Sequence, residues 1–119
     1  MENVLIIHTE DDFQVRLIDW DRAAVGPVTY DLSTFLLRFP PTEREKVLDH
    51  YREFSGDLDW QLPGADLLNY LFDTAERARI VSRLIWPAIA ILQGDSGWGW
   101  DELAMVGNWF EALEPLLEQ

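Results

Sequence analysis

Asn3 and Asp19 are the two side chains whose types and spacing best suit metal and phosphate chemistry. An amide oxygen and a carboxylate are hard donors. Two such groups, with phosphate oxygens and water in the remaining positions, can hold a divalent cation against a triphosphate. Each adjoins an apolar run: Asn3 precedes Val4-Leu5-Ile6-Ile7, and Asp19 follows Val15-Arg16-Leu17-Ile18. If these runs pair as antiparallel strands, the two donors come close together at one end of the hairpin. Asp21 has the parity of Asp19 and would face the same side. An Asp-x-Asp after a strand is also a common turn arrangement, and an ion pair from Asp21 to Arg16 or Arg22 competes with a role beside a metal.

The elements that must position these residues follow from the hydrophobic pattern. Residues 4–7 and 15–18, separated by the polar stretch 8–14, predict a β-hairpin. Gly26 and Pro27 then break regular structure, and Leu32, Phe35, Leu36 and Phe39 predict a helix over 30–39, stopped at Pro40. Thr42 and Glu45 have the spacing of a capping box, which predicts a helix over 43–54. After a loop over 57–64 comes a long amphipathic run, with Leu68, Leu71, Ala75, Ala78, Ser82, Ile85, Ile89 and Leu92 on one face, in which Pro87 predicts a kink. Residues 94–99 read as a loop. A last helix, capped near Asp101, turns Leu103, Val106, Phe110, Leu113 and Leu117 inward. The expected fold is mainly α with a small β-hairpin (α+β), divided into a hairpin and metal-binding segment over 1–28 and a helical subdomain over 29–119.

Bulk properties narrow the function classes. The 119 residues carry 22 acidic and 9 basic side chains, a formal charge of -13. Such a molecule repels a phosphate backbone and anionic lipid, so neither nucleic acid nor a membrane surface is expected as a partner. No Lys or Arg follows Arg83, whereas Asp95, Asp101, Glu102, Glu111, Glu114 and Glu118 do, which suits a cation or a cationic small molecule. The same charges, spread over several helices, also suit a solubilising surface. There are no cysteines, which leaves oxygen donors or His8 and His50 for any metal, and the histidines lack the spacing of a metal motif. The longest apolar stretch, 84–92, is far below the ~20 residues needed to cross a bilayer, and a cytoplasmic location is expected. Trp98 and Trp100, within Ser96-Gly97-Trp98-Gly99-Trp100, are the tryptophans suited to an acidic, aromatic substrate pocket. Trp60, Trp86 and Trp109 are expected to pack in the core or anchor loops.

Three segments also carry a family resemblance. Glu2-Asn3-Val4-Leu5-Ile6, then Ile18-Asp19-Trp20-Asp21, then Gly26-Pro27 with Tyr30-Asp31-Leu32, together resemble the latter part of the aminoglycoside phosphotransferase and choline kinase family. The resemblance covers residues 2–35 and implies the helical carboxy-terminal lobe of a protein-kinase-like fold. It further implies ATP, Mg²⁺ and a small-molecule hydroxyl acceptor. Asn3 resembles the magnesium ligand that trails the catalytic loop, and Asp19 the metal-binding aspartate that bridges to the nucleotide phosphates. Asp31 resembles a buried aspartate that ties the helix start to that loop, and with Asp21 it is assigned a supporting or structural role. In that family the catalytic base stands five residues before the Asn, a place ahead of Met1 here, as are the nucleotide loop and phosphate-binding lysine. No catalytic residue is therefore assigned within these 119 residues, and the chain alone is expected to lack turnover. The alternative is a non-catalytic helical interaction module or gene remnant. Both readings imply an exposed apolar surface on the hairpin side, through which self-association would occur.

Overall fold

The computed structural model describes residues 4–9, 12–18, 24–56, 61–94 and 96–118. Strands β1 (Val4–His8) and β2 (Phe13–Leu17) form an antiparallel hairpin in which Val4 faces Leu17 and His8 faces Phe13. β-Branched and aromatic side chains favour this pleated pairing. Its closed end is held by Thr9, whose N–H and hydroxyl donate to the Asp12 carbonyl at 2.8 and 2.9 Å. Five helices follow among the described residues: α1 (Val28–Leu36), α2 (Pro41–Phe54), α3 (Ala65–Arg83), α4 (Ile85–Leu92) and α5 (Ser96–Glu111). The chain is thus mainly helical with one small hairpin.

Several boundaries differ from the sequence expectation. Helix α1 ends at Leu36, because Arg38 and Phe39 donate to carbonyls only three residues back, a tightening that closes the last turn short of Pro40. The Thr42 and Glu45 capping box is not used. Pro41 occupies the first helical position, where its fixed φ fits and its missing N–H costs nothing, and Pro40 is the cap. The long amphipathic run divides at Leu84 rather than kinking at Pro87. Pro87 then falls in the first turn of α4, where an N–H has no intrahelical partner to lose.

Helix α5 begins five residues before Asp101 and absorbs most of the stretch expected to be a loop. Gly99 explains this. It is buried where α5 crosses α4, and a Cβ there would lie 2.8 Å from the Pro87 carbonyl oxygen and 2.9 Å from Ile91 Cγ1. The glycine serves close helix approach rather than chain freedom. Gly94, at φ +86°, supplies the left-handed residue that ends α4.

The core is built around α3. Leu68 and Phe72 of α3 bury against Leu32 and Leu36 of α1, Leu48 of α2, and Leu116 and Leu117 of the segment after α5. The inward face of α3 and α4 is rotated from the expected stripe: Ala78, Ser82, Ile85 and Leu92 are exposed, while Asn69, Glu76 and Ile80 are buried. Trp86, expected in the core, is also largely exposed on α4. Asn69 clasps the carboxy-terminal segment, donating from Nδ2 to the Leu117 carbonyl at 3.0 Å and accepting the Leu117 N–H at 2.9 Å. Arg44 adds a bond from Nη1 to the Leu116 carbonyl at 3.2 Å. The arginines of α3 stack on its neighbours: Arg79 lies 4.1 Å over the Tyr30 ring of α1, and Arg83 lies 4.1 Å over the Trp109 ring of α5.

The hairpin stands apart from this body. Among the described residues, neither strand contacts any helix.

Candidate functional site

The site expected from Asn3, Asp19 and Asp21 falls on residues outside those described. The strands that adjoin Asn3 and Asp19 are paired, and Val4, which follows Asn3, faces Leu17, two residues before Asp19. An amide oxygen and a carboxylate are the donor chemistry that a hard cation such as Mg²⁺ accepts. The two groups would supply only part of its coordination, the rest falling to phosphate oxygens and water.

Downstream, the Gly26-Pro27 segment leads into α1. Pro27 is its cap, and the Pro27 carbonyl accepts the Tyr30 N–H at 3.0 Å. Asp31 lies in the first turn of α1, where a negative charge complements the helix dipole. Its side chain is exposed, unlike the buried aspartate it resembles.

The start of α1 is anchored by a buried polar network that the sequence reading did not single out. Glu76 of α3 is 8% exposed, and its Oε1 accepts the Ser33 hydroxyl at 2.6 Å and Arg79 Nε at 3.4 Å. Ser33 Oγ also lies 3.1 Å from the Tyr30 carbonyl, but a hydroxyl carries one hydrogen and the shorter contact to a carboxylate claims it. The Tyr30 carbonyl is served instead by Arg79 Nη2. A buried carboxylate is tolerable only when paired and hydrogen-bonded in this way. The network therefore fixes the segment that follows Asp19 and Asp21 onto α3. Its only local signal in the sequence is Glu76 and Arg79 at three-residue spacing on one helix.

The other candidates lie elsewhere. Trp98 and Trp100 sit in the first turns of α5, 45% and 60% exposed, and α5 touches α3 and α4 but not the hairpin. His8 and His50 are both exposed, and His50 Nδ1 lies 3.7 Å from Glu53 Oε2. Among the described residues no three His, Asp or Glu side chains cluster as a metal site. No helix among them is long and apolar enough to cross a membrane.

A family model described as the phosphotransferase enzyme family (APH) matches residues 2–66, just over half of the chain. The matched part takes in the hairpin, α1 and α2 and ends as α3 begins. No curated protein and no solved structure matches the chain.

Proposed function

Because the chain belongs to the phosphotransferase enzyme family, we propose that it is the carboxy-terminal, largely helical part of an ATP-dependent kinase acting on a small-molecule hydroxyl. Asn3 and Asp19 would hold Mg²⁺ against the nucleotide phosphates, and the ion would neutralise charge on the transferring phosphoryl group. The observation that carries this reading is the hairpin register, which aligns the strand ends adjoining both residues. Asp21 and Asp31 support the segment. The network of Ser33, Glu76 and Arg79 holds the start of α1 in place behind it. Trp98 and Trp100, on an acidic helix, are the side chains offered to a cationic acceptor.

Phosphoryl transfer rests on positioning and charge neutralisation by many parts at once. The 119 residues contain the metal-binding part of this arrangement and no assigned base, so alone they are expected to bind nucleotide weakly and not to turn over. Calorimetric titration with ATP and Mg²⁺ tests the metal site. Heat that depends on Mg²⁺ and is lost in Asp19→Asn is the expected result. Equal heats from both proteins, or none from either, would remove Asp19 as a ligand.

A further inference from the structure

Helices α4 and α5 take no part in the hydrophobic core, whose buried side chains come from α1, α2, α3 and the terminal segment. Among the described residues, α4 and α5 pack on each other and, of the remaining helices, only on α3. The two kinds of packing differ in character. Between α4 and α5, buried Gly99 lets the backbones approach so closely that no Cβ would fit beside Pro87 and Ile91. Between α5 and α3, Arg83 lies over the Trp109 ring and 3.9 Å from Glu102, and Arg77 lies 6.0 Å from the Phe110 ring. The Arg83 and Glu102 side chains are 57% and 41% exposed, a setting in which stacking and ion pairing are weak.

The joint between α3 and α4 is weakened as well. Leu84 donates its N–H to the Val81 carbonyl, only three residues back. In one continuous helix the N–H at position 87 would donate to the Arg83 carbonyl; proline has no N–H there, and its ring crowds that carbonyl. A tightened turn beside a proline is a common place for two helical segments to change direction. At the other end of the pair, α5 passes into the non-helical residues 113–115. Leu116 and Leu117 are then fastened by Arg44 and Asn69.

We propose that α4 and α5 form a rigid arm that pivots on α3, with Leu84 and residues 113–115 as its two joints. Two points of attachment leave the arm one rotation, about the line through them, and a few residues at element ends can absorb it. The strap at Leu116 and Leu117 stays in the core, so the arm turns without undocking that segment. Trp98 and Trp100 lie near Gly94, between α4 and α5, at the end of the arm away from Leu84. The pivot needs neither metal nor nucleotide and stands on the helix geometry alone. Its consequence for an acceptor rests on the phosphotransferase reading: rotation would alter the site that these two tryptophans are proposed to line.

The chain has no native cysteine, so pairs of engineered cysteines can carry spin labels at exposed positions without interference. Thr74→Cys with Gln93→Cys spans the Leu84 joint, and Gln93→Cys with Asn108→Cys lies within the arm. Pulsed dipolar spectroscopy reads the distance distribution of each pair. The first is expected to be broad or two-peaked, and the second single and narrow. Pro87→Ala restores the N–H at the joint, lets α3 run into α4, and is expected to narrow the first distribution towards the width of the second. Should Pro87→Ala lower the helical circular dichroism, Arg83→Ala decides instead: loss of the Trp109 stack is expected to broaden or shift the first distribution and leave the second unchanged. A first distribution as narrow as the second, a second as broad as the first, or no narrowing in Pro87→Ala with helicity intact would each overturn the pivot. So would an Arg83→Ala chain in which the first pair does not respond or both pairs respond alike.

Discussion

Asn69 shows how much a single polar side chain can organise. Its amide matches both backbone groups of Leu117, at 2.9 and 3.0 Å, in an environment where each would otherwise lie buried without a partner. Replacing it by alanine leaves a buried N–H and a buried carbonyl unsatisfied, which costs about 2–3 kcal/mol. Urea denaturation of Asn69→Ala should show that loss as a lower midpoint with an unchanged slope; a cost within ~0.5 kcal/mol would mean that water replaces the amide. Ser33→Ala takes one donor from Glu76 while Arg79 remains, so a smaller cost of about 1–2 kcal/mol is expected from the same measurement. Neither role was legible in the sequence. Asn69 and Glu76 look like surface residues of an amphipathic helix, because their partners are 48 and 43 positions away. By contrast, the hairpin strands were readable, since alternation and β-branching are local properties.

At the scale of elements, glycine makes the clearest test. Gly99 and Gly107 lie in the same helix, but a Cβ at Gly99 would press on Pro87 and Ile91, whereas one at Gly107 meets nothing within 4 Å. Gly107→Ala should stabilise α5 by about 0.5–1 kcal/mol through helix propensity. Gly99→Ala has the same propensity gain, but overpacking of about 1–3 kcal/mol outweighs it. Opposite shifts in melting temperature are the expected outcome, and two shifts of the same sign would deny that Gly99 sets the distance between α4 and α5. This contrast also explains why the start of α5 was missed. Glycines at 97 and 99 are local loop signals, and only the neighbouring helix reveals that one of them is a packing residue. Pro41 and Pro87 both lie in the first turn of a helix, although the capping pattern at Thr42 places the start of α2 two residues too late and Pro87 reads locally as a kink.

The whole molecule consists of a helical body and a protruding hairpin. Its radius of gyration is 17.5 Å, well above the ~13.5 Å of a compact domain of this length. Stability is therefore unevenly spread. Amides around Leu68 and Phe72 should exchange only with global unfolding, and those of β1 and β2 far sooner in dilute monomer. Hydrogen exchange resolved by residue checks this. Equal protection in the two regions at low concentration would show that the hairpin docks on the body after all. The family match ends where α3 begins, so the part that carries the family pattern depends for its core on α3 and a terminal segment beyond the match.

That dependence sets a timetable for synthesis. Leu32 and Leu36 are translated about eighty residues before Leu116 and Leu117, which complete the core they belong to. At ~5–20 residues per second, the core around α1 waits roughly 4–16 s for these last two side chains. During that interval the nascent chain offers chaperones a target that the finished molecule hides.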